Sequence, residues 1–200
     1  MSPIYQNIHV YRLIMNLLYL GRYNKRFQKI IKFIEINNTK KIVELAFGDV
    51  QIAKWAKSND IKWTGYDVNK SFVSYARAKG YDAFEKDIKL ASDIPESDLT
   101  IISGSLYHFH EFLETLINKI MSKTKILIIS EPIQNISSKK NIFGKIAKRS
   151  ANISTEREEF RYNENTLIET LDRICIDKYK IETLEKYSKD IIIRISHDQI

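Results

Sequence analysis

The sequence predicts an α/β fold: a mostly parallel, seven-stranded sheet with helices on both faces, ending in an antiparallel C-terminal hairpin and preceded by an N-terminal helical cap. Three observations predict it. From Asn37-Asn38-Thr39 onward, short apolar runs alternate with helical segments, which is the pattern of βαβ units and a parallel sheet. The runs at 99–103 and 126–130 are apolar almost throughout, as strands buried on both faces are. Two β-like runs near the C-terminus are separated only by a charged turn, so they pair as a hairpin.

Before that alternation begins, apolar residues recur at three- and four-residue steps over 5–20 and again over 23–36, with Gly21 as the break, which predicts two consecutive amphipathic helices. The first βαβ unit has a strand at 41–47, a tight turn at Gly48-Asp49, and a helix through Ile52, Ala53 and Ala56 that ends near Asn59-Asp60. Strand two is 61–67; a helix over about 69–79 follows, with Gly80 where a left-handed C-terminal cap is wanted. Strand three is the short 83–87. A connector containing Pro95 leads to strand four at 99–103, a helix over about 109–122, and strand five at 126–130.

Between Glu131-Pro132 and Asn163 the chain turns polar and weakly periodic, a pattern shared by lids and disordered loops. A helix near 164–174 and the runs 179–184 and 191–195 complete the chain. No repeat, low-complexity tract or linker marks a second domain. Residues 1–200 therefore read as one domain, with the cap over 1–38, a binding core over 39–132, a substrate or lid loop over 133–163, and the last helix and hairpin over 164–200.

Two hundred residues, 44% of them hydrophobic, with six glycines and three prolines, suffice for one core of ordinary size and exclude disordered and fibrous classes. Cys175 is the single cysteine, without His or Cys neighbours at zinc-ligand spacing. An internal disulfide is excluded, no metal is expected, and a reducing cytoplasm fits. The first twenty residues mix apolar side chains with Gln6, Asn7, His9 and Arg12 and lack a small-residue cleavage site, so they read poorly as a signal peptide; no stretch is long enough to span a bilayer. A formal charge of +7 and a pI of about 9.3 favour an anionic partner such as a phosphorylated metabolite, a lipid head group or nucleic acid. The lysines are spread through the whole chain, so the same charge is also that of an ordinary solvated surface.

An open α/β sheet binds its ligand outside the carboxyl ends of its strands, where strand order reverses. The predicted strand ends carry Glu44 to Asp49, Asp67, Asp87, and Ser103 to Phe109. The first loop has one glycine at its tightest point, whereas a dinucleotide pyrophosphate normally needs G-x-G-x-x-G, so NAD is not expected. Glu44 just before the turn argues against a phosphate and for an ammonium group. Asp67 stands where a carboxylate can accept both hydroxyl hydrogens of a ribose. Asp87 and Ile88 would lie beside the base, the one accepting from an exocyclic amine and the other packing on the ring. An adenosine with a positively charged amino-acid tail satisfies all three carboxylates.

Glu44 to Val50, Gly65-Tyr66-Asp67-Val68, Lys86-Asp87-Ile88 and Ser105-Leu106-Tyr107-His108-Phe109 resemble, in order, the motifs of class I S-adenosylmethionine-dependent methyltransferases, a Rossmann-like family. The likeness covers roughly 39–130, and the terminal hairpin matches the family's last two strands. It implies S-adenosylmethionine as cofactor, bound by Glu44, Ala46, Gly48, Asp67, Val68, Asp87, Ile88, Ser103 and Ser105, with Glu44 and Gly48 near the methionine portion, Asp67 on the ribose, Asp87 with Ile88 at the adenine, and the strand-four end, Ser103 to Leu106, facing the methionine side and the transferred methyl. Where the family has E/D-x-G-x-G-x-G, Ala46 and Val50 replace the first and third glycines. Ala46 is expected to be mild, needing only a conventional backbone angle, and Val50 to crowd the helix start.

Each residue also has a plainer role open to it. Glu44 could pair with Lys41 or a nearby amide, and Asp87 with the flanking Lys86 or Lys89. His108 and Tyr107 are the candidate catalytic residues, His108 as a general base, or they line the cleft and pack a helix start; His110 reads as surface. Tyr11, Arg12, Arg22, Tyr23 and Arg26 could close over a carboxylate or an anionic substrate, or be helix-face side chains. Glu131-Pro132 stands at the cleft edge, and Lys139, Lys140, Lys145, Lys148 and Arg149 would give the following loop an anion preference. The expected activity is methyl transfer to a small-molecule or lipid-like acceptor. The alternatives are a degenerate scaffold that keeps the fold and an RNA methyltransferase. DNA base methylation is disfavoured, because its enzymes typically carry an N/D-P-P-Y-like run where this chain has Ser103-Gly104-Ser105-Leu106.

Overall fold

The computed structural model describes residues 3–89, 94–133 and 160–197. After a 3-10 turn at Pro3–Gln6, α1 (Ile8–Leu18) starts at Asn7, whose side chain accepts from the His9 and Val10 amides. Leu20 and Gly21 then turn left-handed (φ 52° and 76°) and reverse the chain into α2 (Tyr23–Ile36). α2 buries Tyr23, Arg26, Phe27, Ile30 and Ile34, spaced three and four apart, so a single stripe faces inward.

The βα alternation then runs β1 (Lys41–Leu45), α3 (Gln51–Ser58), β2 (Lys62–Asp67), α4 (Lys70–Ala78), β3 (Asp82–Glu85) and β4 (Ser97–Ser103). A 3-10 segment at Leu106–Phe112 leads into α5 (Leu113–Met121), followed by β5 (Thr124–Pro132), α6 (Glu164–Cys175), β6 (Lys180–Tyr187) and β7 (Asp190–Ser196). The seven strands form one sheet in the order β3-β2-β1-β4-β5-β7-β6. β1 to β5 are parallel, and β7 runs antiparallel to both β5 and β6. This is the expected mostly parallel, Rossmann-like α/β sheet. Strand order reverses between β1 and β4, which sets the crevice there.

Alternation along the strands divides the core in two. Val43, Leu45, Ile102, Leu127, Ile129 and Ile193 face α5 and α6, whereas Ile42, Leu99, Ile101, Ile126 and Ile128 face α2 and α3. Cys175 is buried in the first of these layers and its thiol is pushed up to about 11, mainly by burial, so it is an inert packing group.

Several boundaries differ from expectation for identifiable reasons. β1 stops at Leu45 rather than 47 because Ala46 turns left-handed. β3 stops at Glu85, short of Asp87. β5 runs on through Glu131 and Pro132, paired with Ile191 and Asp190. The start of the 109–122 helix is instead the 3-10 segment, and β6 and β7 extend to a two-residue turn in which Ser188 has φ 59°. Most of the 133–163 loop, including the five basic residues named for it, lies outside the described residues.

Arg26 fastens the cap to the sheet. It is 3% exposed; its Nε lies 3.0 Å from Asp190 Oδ2, and its Nη2 donates to Ser103 Oγ at 3.0 Å and to the Ser130 carbonyl at 3.5 Å. Tyr19 Oη completes the cluster by donating to Asp190 Oδ1 at 3.0 Å. Breaking a buried pair from one side leaves a bare charge. Arg26→Met should therefore cost about 3–5 kcal/mol in urea unfolding, far more than the exposed Arg22→Met.

Candidate functional site

The loop between β1 and α3 is held open by two left-handed residues, Ala46 (φ 52°) and Gly48 (φ 58°). The first corrects the expectation for Ala46. The position does require an unusual backbone angle, so alanine here carries strain of order 1 kcal/mol that glycine would not. It is stabilised by Ala46 N donating to the Tyr66 carbonyl at 2.7 Å. Val50 does not crowd the loop: it is 5% exposed and packs into the core at the start of α3. At Gly48, a β-carbon would lie 3.4 Å from Tyr11 Oη, so the cap rests directly on the loop.

Asp67, at the end of β2, is tied to this loop. Its Oδ2 accepts from Gly48 N at 2.9 Å and its Oδ1 from Asn69 N at 2.8 Å. Burial raises its pKa, against the lowering effect of those amides. Next to it Val68 is 57% exposed, an apolar side chain at the mouth of the crevice. Asp49, placed by the sequence in the turn after β1, gains a partner the sequence does not announce. Its carboxylate takes Arg12 Nη2 at 2.6 Å and Nε at 3.1 Å, and it caps the Val50 amide at 2.7 Å. Arg12 also donates to Tyr75 Oη, so it braces the loop.

Glu44 lies fully buried at the start of the loop and does not pair with Lys41. Its Oε2 accepts from Trp63 Nε1 at 2.8 Å, while Oε1 has no hydrogen-bond partner among the described residues. Burial raises its pKa well above the ordinary carboxylate range, and Asp49 and Asp67 push it the same way. The bond to Trp63 depends on Gly65, where a β-carbon would fall 2.1 Å from the indole and 2.8 Å from the Phe47 ring. Only glycine lets the indole lie across β2. The pairing had one sequence signal: Trp63 and Gly65 share a face of β2, and Gly65 is the register partner of Glu44.

After β3, Asp87 is exposed and accepts from the Lys89 amide at 2.9 Å, closing its own turn rather than forming the ion pair considered for it. Ile88 is 6% exposed and packs in the core layer that contains Leu106. Ser103 and Ser105 flank Gly104 (φ 71°) at the end of β4. Ser103 Oγ accepts from Arg26, and the buried Ser105 Oγ has no partner among the described residues.

Beyond them Tyr107 is buried, with the Arg161 guanidinium 3.3 Å from its ring centre. His108 packs against Tyr107 with its outer edge open to solvent. Its pKa falls to about 4, through partial enclosure and then the charges of Arg161 and Lys89, so the imidazole is neutral and weakly basic. His110 is exposed, as expected, and its ring stacks on the exposed Phe160 at 4.3 Å. Glu131, at the end of β5, is a further acid beside the 3-10 segment. It is 1% exposed, accepts from the Leu106 amide at 3.0 Å and the Tyr107 amide at 3.4 Å, and burial pushes its carboxyl up to about 7. Burial, and then the charge of Glu131, raises the pKa of Tyr162, whose hydroxyl is buried without a partner among the described residues. Tyr162 and Arg161 were not singled out from the sequence, for they follow the unpatterned loop. No group of three or more His, Cys, Asp or Glu placed to hold a metal occurs among the described residues.

No protein-family model matches the chain, and no curated protein matches it. Solved structures do. A SAM dependent methyltransferase from Archaeoglobus fulgidus aligns with a TM-score of 0.68 at 17% identity, over 93% of this chain and 99% of that one. The plantazolicin methyltransferase BpumL, solved with a pentazolic desmethylPZN analog and SAH, aligns with a TM-score of 0.67 at 13% identity, over 97% and 93%. The magnesium protoporphyrin IX methyltransferase ChlM of Synechocystis PCC 6803, solved with bound SAH, gives 0.63 at 12%, over 88% and 83%. At these identities the likeness is one of architecture: the chain has the fold of class I S-adenosylmethionine-dependent methyltransferases.

Glu131 generates a pH prediction. Its carboxyl is raised from 4.5 to about 7, so between those values the folded protein holds a proton that the unfolded chain has released. The stability it contributes is full below its unfolded pKa and falls as pH rises through about 7. Urea unfolding of wild type and Glu131→Gln across that window should show the wild type losing stability relative to the variant; parallel curves would contradict the assignment.

Proposed function

We propose that the chain transfers a methyl group from S-adenosylmethionine to a small-molecule or lipid-like acceptor. The observation that carries this is Asp67: on a methyltransferase fold, at the end of β2 and next to the β1 side of the point where strand order reverses, its carboxylate is fixed to the amide of the loop glycine Gly48. Its Oδ2 accepts from the Gly48 amide and its Oδ1 from the Asn69 amide, with the Val68 amide also favouring the charged form, and the remaining lone pairs suit a ribose diol. The residues present fit the cofactor. Glu44 Oε1 and Ser105 Oγ are buried polar atoms without partners among the described residues, and a bound ammonium would offset the burial of Glu44. Val68 and Ile88 offer apolar surface to a base, with Asp87 at its edge.

The cofactor supplies an activated methyl on a sulfonium, and this chain's own residues mainly orient the reactants. Glu131 suits the role of proton acceptor better than His108, since a base with pKa near 7 matches the working pH. The protein's positive charge and Arg161 above Tyr107 support an acceptor of anionic character. A second reading, a binding protein that keeps the fold without the chemistry, draws on Tyr11 Oη against Gly48 and on the strained Ala46.

Calorimetric titration separates the two readings. Wild type should bind S-adenosylmethionine and S-adenosylhomocysteine in the micromolar range. Asp67→Ala should weaken both by roughly ten- to a hundred-fold, the loss of hydrogen bonds to a charged acceptor. Absence of binding by folded wild type would overturn the catalytic reading and leave the scaffold.

A further inference from the structure

Nine large apolar side chains are exposed among the described residues, and four of them line one side of α1 and its C-terminal end. Val10, Leu13, Leu17 and Leu20 recur at steps of three, four and three residues and are 42, 63, 47 and 72% exposed. The other side of the same helix is apolar too: Ile8 is buried, and Tyr11, Met15 and Leu18 pack against the core. His9, Arg12 and Asn16 form a polar stripe beside these two sides, so the exposed apolar residues make a patch of their own, and an exposed apolar patch rimmed by polar residues marks an interaction surface.

The charge around the stripe indicates what covers it. No acidic residue precedes Glu35, while the same stretch holds Arg12, Arg22, Lys25, Arg26, Lys29 and Lys32. Arg12, Arg26 and Lys29 are consumed in ion pairs with Asp49, Asp190 and Glu185. Arg22, Lys25 and Lys32 are exposed and form no ion pair among the described residues. α4, which meets α1 through Phe72 on Tyr11 and Tyr75 on His9, holds no acid; its Lys70 pairs with Glu85 at 3.7 Å and its Arg77 donates to the Ala83 carbonyl, while Lys79 at its C-terminal cap is exposed and forms no ion pair among the described residues. A second copy on this face would set these cations against their own images, which is repulsive. An anionic lipid surface complements both features.

We propose that α1 docks the protein on anionic membranes, with the leucine stripe entering the head-group layer and the basic side chains of α2 and α4 meeting lipid anions. Because Tyr11 and Arg12 of α1 brace the β1–α3 loop, docking brings the rim of the crevice to the lipid surface. The proposal stands apart from the methyl-transfer reading, and its test needs no cofactor.

The test is co-sedimentation of the full chain with vesicles of phosphatidylcholine alone and of phosphatidylcholine with phosphatidylserine, alongside light scattering of the free protein. Wild type should partition to the phosphatidylserine vesicles and be released by salt. Leu13→Ser/Leu17→Ser should lower partitioning by about ten-fold or more, and Arg22→Ala/Lys25→Ala by about five-fold per charge. Both pairs are exposed, so unchanged thermal melts are expected. Wild type that ignores the anionic vesicles, or leucine variants that bind as wild type does, would overturn the proposal. So would a wild-type dimer that the leucine variant dissociates, because the stripe would then belong to a second copy.

Discussion

One buried guanidinium governs the carboxyl edge of the sheet. Arg26 comes from α2, yet it pairs with Asp190 of β7, donates to Ser103 of β4 and reaches the Ser130 carbonyl of β5. A charge taken out of water holds its place only if its partners hold theirs. The seat of the cap, the stagger of three strands and the position of Ser103 are therefore mutually dependent. Gly104 belongs to the same constraint, since its backbone is left-handed and a β-carbon there would meet Arg26 Nη2 at 3.0 Å. Tyr19, whose ring flanks the guanidinium, closes the cluster against Asp190.

From that fixed edge the crevice inherits an uneven distribution of acid. Asp49 and Asp190 are neutralised by arginines of the cap. Glu44, Asp67 and Glu131 are not ion-paired among the described residues; each is raised by burial and relieved by N–H donors, from Trp63, from the Gly48 and Asn69 amides, and from the Leu106 and Tyr107 amides. Three such groups around one crevice favour a ligand that brings hydroxyls and a positive charge, because both reduce the cost of burying carboxyls. Glu131 differs from the other two in facing the 3-10 segment rather than the glycine loop.

The sheet was legible in the sequence because its strands are short apolar runs between helical stretches, and parallel strands covered on both faces leave that imprint at 99–103 and 126–130. The strand-end acids were legible for the same reason, once the strands were placed. Ala46 was misjudged, because nothing in an alanine signals a left-handed backbone; the loop's hydrogen bond to Tyr66 imposes it. The Arg26–Asp190 pair joins opposite ends of the chain and leaves no local mark. Leu106–Phe112 is a 3-10 segment whose first amides are capped by Glu131, a tertiary contact that a run of aromatic and histidine residues does not announce. Burial, rather than residue type, also sets the two shifts that the sequence does not announce, His108 down to about 4 and Glu131 up to about 7.

The most direct test of the account is a crystal structure of the protein grown with S-adenosylhomocysteine. The account predicts the ribose hydroxyls on the Asp67 carboxylate, the amino-acid tail between Gly48 and Ser103 with its ammonium toward Glu44, and the base against Val68 and Ile88. A ligand bound away from the β1–β4 switch point, or a crevice still closed by Tyr11 on Gly48 at saturating ligand, would contradict it.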